Sequence, residues 1–180
     1  MNILSKILDF FFPDDSPEHK GEIGEDIVKK ATRKRIMSYS REIHDFNMNE
    51  ENGTKCQIDH IILRENGIFV IETKNYSGMI FGTEEQKYWT QVLSYGKVKN
   101  HFYSPVRQNR RHIYKLKEIL GDDAPLFSVV VFTNGDISNI KSSEVFNVDE
   151  MKNRIYQNND RLLDIEQIEK YYSILLRHNI

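Results

Sequence analysis

KCQIDHIILRENGIFVIETKNYSG, residues 55–78, is the stretch whose reading decides the fold. Its first ten residues mix apolar and polar positions in the manner of a strand. Glu65, Asn66 and Gly67 then make a tight turn into GIFVIETKN, whose apolar run Ile68 to Ile71 reads as a strand buried on both faces. Two antiparallel strands joined by a short turn follow, the second one central to a sheet. Working outward, YSREIHDFN within residues 36–47 reads as an outer strand. Residues 20–35 read as a helix with Ile23, Ile27, Val28 and Ala31 on one stripe and Lys29, Lys30, Arg33, Lys34 and Arg35 toward its carboxyl end, where they suit the helix dipole.

Downstream, Gly78 and Gly82 bracket a short strand, Met79 to Phe81, and residues 87–94 around Trp89 read as another, so that this region forms a meander. Residues 105–120 return to helical spacing with Val106, Ile113, Leu116 and Leu120 on one stripe, Pro105 just inside the start and Gly121 as the stop. PLFSVVVFT, residues 125–133, is a β-branched apolar run suited to lie beside another central strand. A short strand near Val145 and helices at 149–157 and 164–177 complete the chain. No repeat or linker interrupts it. The order predicts a single α/β domain over residues 18–180, a mixed sheet flanked by helices with a helical tail from 134 to 180.

Alternation places Gln57, Asp59, Ile61 and Leu63 on one face of the first strand of the hairpin, and Ile68, Val70, Glu72 and Lys74 on one face of the second. Asp59 and Glu72 then approach each other at the end away from the turn, with Lys74 beside them. Two readings stand. The charges form an edge-strand ion pair worth about 0–1 kcal/mol, or the carboxylates share a hard cation such as Mg²⁺ or Mn²⁺ that relieves their repulsion. Charges at the end of a buried apolar run, where an internal strand normally continues apolar, weigh against the first without excluding it. Such a metal polarises a phosphate oxygen and acidifies a bound water, and Lys74 orients that water or offsets developing negative charge.

Asp59 followed by Glu72-Thr73-Lys74 resembles the Asp and Glu-x-Lys signature of the PD-(D/E)xK nuclease superfamily. More closely, Gly21-Glu22-Ile23-Gly24-Glu25, Gln57-Ile58-Asp59-His60, Gly67 to Gly78, and Pro105 to Gln108 with Asn109 resemble, in that order, the nuclease-related domain, over about residues 20–133. The resemblance implies a restriction-endonuclease-like α-β-β-β-α-β core and a metal-dependent nuclease; DNA is favoured over RNA as its substrate, a choice the sequence itself leaves open. Asp59 and Glu72 take the metal-ligand roles, with the Thr73 carbonyl and Glu25 completing the set, and Lys74 is catalytic. Gln108 is implied to position substrate or water. Related branches carry a tyrosine one helical turn beyond that glutamine; this chain has His112 there, so no role transfers to His112. A second reading keeps the same fold as a non-catalytic nucleic-acid-binding or protein-interaction module.

Arg107, Arg110, Arg111 and Lys115, with Lys117, fan over the polar half of their helix, as a phosphate-tracking surface or as an ordinary solvated face. Lys29 to Arg35 offers a second basic patch. Tyr76, Tyr88, Trp89 and Tyr103 are either stacking residues or sheet packing. His60 and Cys56 alternate away from Asp59, so His60 reads as structural and Cys56 as an unreactive thiol. The six histidines lack metal-ligand spacing, which argues against zinc, and no phosphate-cradling Gly-rich loop is present.

The chain has 180 residues, 39% hydrophobic, with 25 Lys and Arg against 27 Asp and Glu, a formal charge of −2. This excludes disorder and a polycationic tail. One cysteine permits no internal disulfide and fits the reducing cytoplasm. Residues 1–12, MNILSKILDFFF, within an amino-terminal segment 1–17, have amphipathic helical spacing but span only about 18 Å as a helix, short of a hydrocarbon core of about 30 Å. Residues 2–12 therefore read as a helix that packs back on the domain, as a protein contact, or as a weak membrane-surface anchor.

Overall fold

In the computed structural model, residues 17–32, 39–49, 53, 55–157 and 160–180 are described. Residues 2–12 and Arg33 to Arg35 lie outside them, so the reading of the amino-terminal helix and three of the five basic residues of the first patch do too. The described chain forms α1 (Pro17–Thr32), β1 (Ser40–Asn49), β2 (Lys55–Arg64), β3 (Gly67–Thr83), β4 (Tyr88–Leu93), β5 (Val98–Tyr103), α2 (Pro105–Leu120), β6 (Leu126–Lys141), β7 (Val145–Asn147), α3 (Val148–Tyr156) and α4 (Ile165–His178). Strands β1 to β5 follow one another antiparallel in spatial order, while β6 lies parallel to β3 and β7 parallel to β6. The result is a mixed seven-stranded sheet flanked by helices with a carboxyl-terminal helix.

The long apolar runs of β3 and β6 become neighbours because both faces of each are covered. On one face Ile61, Leu63, Ile68 and Val70 pack with Leu116 of α2 and Ile168 and Leu175 of α4. On the other, Ile62, Phe69, Ile71, Val129 and Val131 pack with Val28 of α1 and Met151 and Ile155 of α3. At about 1.5–3 kcal/mol for each fully buried aliphatic side chain, these two clusters fix the order of the central strands. A third, around Trp89, Ile80, Val106 and Phe132, ties the β4–β5 hairpin to the start of α2. Helix α2 is closed at both ends: Ser104 Oγ accepts from Arg107 N at the start, and at the end Gly121, the expected stop, donates its N–H to Lys117 O.

Two local expectations are corrected. Met79 to Phe81 is not a separate strand; β3 runs unbroken for 17 residues and bends at bulges between Lys74 and Phe81. Gly78 is the bend rather than a terminus, with φ +78 and a Cβ position only 2.4 Å from Val92 O, so a glycine is required there. The alternation of β2 also slips. Cys56 and Ile58 share a core cluster with Ile61 and Leu63, so the face changes phase across Asp59 and His60. Beside it, Ile43 is followed by Phe46 and Met48 in the same cluster, and Asp45 between them takes φ +54.

Candidate active site

The slip in β2 creates the site. Pairing of β1 with β2 passes from His44 and His60 to Phe46 and Ile58, skipping Asp45 and Asp59, and pairing of β2 with β3 ends at His60 and Ile71. Asp59 therefore leaves both of its neighbours' backbone ladders at one point. Its side chain replaces the missing backbone acceptor: Asp59 Oδ2 accepts the Thr73 N–H at 2.6 Å. In a strand the N–H and C=O of one residue point to the same side, so the Thr73 carbonyl faces the same gap.

A cleft of about 760 Å³ opens where the strands part, lined by Glu25, Asp59, Glu72, Thr73, Lys74 and Gln108, among others. All six residues expected from the sequence are thus gathered in one place. Lys74 Nζ donates to Glu72 Oε1 at 2.6 Å and lies 3.4 Å from Gln108 Oε1. Gln108 is held there by its neighbour. Asn109, fully buried, donates through Nδ2 to Val70 O and Ser128 Oγ and so pins α2 across β3 and β6. Glu25 reaches the cleft because α1 runs close to β3 at Gly24, where a Cβ would stand 2.9 Å from the Asn75 Cβ. Replacing Gly24 with alanine should push α1 outward and cost about 1–2 kcal/mol, which a denaturant titration checks.

Electrostatics mark the cluster as frustrated. Burial, then the charge of Glu72, push the Asp59 carboxyl up to about 7 despite the Thr73 N–H and Lys74. Burial, then Asp45 and Glu72, raise Glu25 as well. Burial also works against Glu72, but His112 and Lys74 outweigh it and hold its pKa below the ordinary value. Lys74 remains cationic because Glu72 and Asp59 more than offset the effect of burial. Carboxylates raised first by burial and then by one another's charge, with hard oxygens and a backbone carbonyl at one gap, have the donor chemistry of a Mg²⁺ or Mn²⁺ site. Among the described residues no three His, Cys, Asp or Glu side chains enclose a position for an ion, since Glu72 is turned toward Lys74 and His112.

His112 is the residue that sequence reasoning passed over. It is 6% exposed, with Nε2 3.4 Å from Glu72 Oε2 and Nδ1 3.1 Å from Cys56 Sγ. The Nε2 contact has ion-pair distance without hydrogen-bond alignment, leaving Glu72 Oε2 otherwise unpaired. Burial alone lowers the pKa of the imidazole, yet Cys56 and Glu72 raise it to about 9. Cys56, which shares a cluster with Ile61 and Leu63 after the slip in β2, meets this histidine rather than inert core alone. His112→Ala should cost about 2 kcal/mol by exposing Glu72 to burial with one partner fewer; His112→Gln, which retains an N–H donor, should recover part of it in the same melting experiment.

The basic face of α2 divides. Arg110 is paired with Glu84 and Glu144, so a phosphate there would compete with two carboxylates. Arg107 Nη1 donates to Glu85 O, and Lys115 pairs with Glu118. Gln108, Arg111, His112 and Lys115 share one stripe at helical spacing, leading from the cleft. Trp89 is fully buried, with Nε1 donating to Thr83 O, so it packs rather than stacks on a ligand. Tyr76 meets Phe102 edge-on and also lines the cleft; Tyr88 and Tyr103 are exposed. His60 is buried beside His44, and burial lowers its pKa to about 3, consistent with a structural role.

A mixed sheet that parts at an aspartate, with Glu-x-Lys on the adjacent central strand, defines a nuclease-like α/β domain. The chain belongs to the nuclease-related domain family, whose sequence profile matches residues 20–133. It is also similar to an uncharacterized protein of Bacillus anthracis, 32% identical over 169 residues that cover 91% of this chain and 79% of the relative. No solved structure matches it. Among the described residues, no helix is long and apolar enough to cross a membrane.

Proposed function

We propose that the protein is a divalent-metal-dependent nuclease that hydrolyses phosphodiester bonds, with DNA as its substrate. The observation that carries this reading is the convergence of Glu25, Asp59, Glu72, Thr73, Lys74 and Gln108 on one cleft at the point where β2 leaves β3. Asp59, Glu72, the Thr73 carbonyl and Glu25 would hold Mg²⁺ or Mn²⁺. When bound, the ion supplies polarisation of the phosphate and acidification of a water.

The remaining work falls to the chain's own groups. Lys74 brings a fixed positive charge and three N–H donors to the cleft, placed to neutralise negative charge that grows on the phosphate oxygens during in-line attack. Gln108, beside Lys74 Nζ, presents an amide that orients the ammonium and the scissile phosphate. His112 and Cys56 sit behind Glu72 and limit its rotation, as positioning residues. Incubation of purified protein with supercoiled plasmid and end-labelled linear DNA, with Mg²⁺ or Mn²⁺ and with EDTA, tests the reading. Cleavage that EDTA abolishes is expected; intact DNA under all metal conditions overturns it.

The clamp of Lys74 and His112 on Glu72 favours a second reading, a nucleic-acid-binding or protein-interaction module with no turnover. It predicts DNA binding that Glu72→Ala leaves unchanged.

A further inference from the structure

Strand β4 ends at Leu93, which with Gln91 lines the cleft, and the chain reverses through Ser94, Tyr95, Gly96 and Lys97 into β5. The hairpin tip therefore stands at the rim of the cleft. Ser94 and Tyr95 are consecutive left-handed residues, φ 50 and 55, a conformation that Asn or Gly adopts with little strain and a tyrosine does not. The Tyr95 ring offers no compensation by packing, since it is wholly exposed at 104% of its reference area. A strained backbone that presents an unpacked aromatic ring serves neither turn formation nor the core.

The surrounding charge is one-sided. Residues 86–117 contain eight Lys and Arg and no Asp or Glu, in a chain whose net charge is −2. Arg110 is neutralised by carboxylates from elsewhere, whereas Lys97 and Lys99 project into solvent beside Tyr95. A cationic ribbon with a free aromatic ring matches a nucleic-acid strand, whose phosphates take the ammonium groups and whose base takes the ring face.

We propose that the β4–β5 hairpin engages an unpaired strand at the cleft: Tyr95 stacks on an exposed base while Lys97 and Lys99 track the adjacent phosphates. The preferred substrate is single-stranded DNA, or duplex with a single-stranded segment, because a paired base offers no free face. This rests on the nucleic-acid part of the proposed function and not on turnover.

A 12-nucleotide DNA containing 2-aminopurine, as single strand and as duplex, tests it in EDTA, where no cleavage intervenes. Expected are quenching of the 2-aminopurine fluorescence on binding, single-strand affinity at least about ten-fold above duplex, and about ten-fold weaker binding by Tyr95→Ala but not Tyr95→Phe. Tyr95→Asn should raise the thermal midpoint by relieving the left-handed strain while weakening binding as alanine does, a pairing that a structural role would not give. Lys97→Gln with Lys99→Gln should flatten the dependence of log Kd on log salt by about 1.4. Equal affinity for duplex, wild-type binding by Tyr95→Asn, or hairpin-dependent binding to phosphatidylserine vesicles in place of DNA overturns the proposal. Intact Tyr95-dependent binding without cleavage removes the nuclease reading alone.

Discussion

Lys74→Ala is expected to cleave plasmid at least about 1,000-fold more slowly than the wild type while keeping its fold. The magnitude follows from the position of the charge: Lys74 Nζ is 19% exposed as a side chain and bonded to the nearly buried Glu72, so its field at a neighbouring phosphate is screened far less than that of a surface lysine. Removing one such preorganised donor typically costs about 10²–10³ in rate, and loss of a full positive charge from a site with three carboxylates costs more. The fold survives because Glu72 retains His112 and its ionisation can relax upward. Lys74→Arg is not expected to rescue, because the planar guanidinium would displace Gln108 and cannot present a single compact ammonium. Plasmid nicking rates and thermal melts on the same preparations decide the matter, and cleavage by Lys74→Ala at the wild-type rate would show that contaminating nuclease or another site does the chemistry.

How far the sequence led differs between elements, for physical reasons. Helix α2 is legible to the residue because Pro105 and Gly121 act within a few positions of the ends they determine. The central strands are legible because β3 and β6 are apolar on both faces, and Glu72 and Lys74 stand out by breaking that pattern. Gly78 misled because a glycine at a bulge and a glycine at a strand end have the same sequence appearance; the difference lies in Val92 O of the next strand, which local pattern cannot report.

The layer behind the carboxylates of the cleft was illegible for the same reason on a larger scale. The surroundings of His112 are Glu72 and Cys56, which arrive from other strands, and those of Arg110 are Glu84 and Glu144, which arrive from two loops. The slip at Asp59 shows why alternation is a local rule only: it assumes an unbroken ladder, and the site exists because the ladder breaks.

Asp59→Asn should make the protein more stable and inactive at once. The Asp59 carboxyl is raised to about 7, first by burial and then by Glu72, against an ordinary value near 3.9 in the unfolded chain. For an acid shifted upward, the folded state is penalised wherever the unfolded carboxyl is ionised: the penalty is absent below about pH 4, grows between 4 and 7, and is full above 7. A shift of this size bounds it at about 4 kcal/mol, and partial exposure with solvent screening reduces it to about 1–2 kcal/mol. Asparagine keeps an oxygen to accept the Thr73 N–H and removes the charge. The thermal midpoint of Asp59→Asn should therefore exceed that of the wild type by about 2–8 °C at pH 8, with the gap shrinking toward zero at pH 4. Millimolar Mn²⁺ should raise the wild-type midpoint and close the gap at pH 8, because the ion relieves in the wild type the repulsion that the substitution removes. A wild-type protein more stable than Asp59→Asn at pH 8, or a gap independent of pH, would mean that the Asp59 carboxylate is held comfortably by its neighbours and that the site has no electrostatic need of a cation.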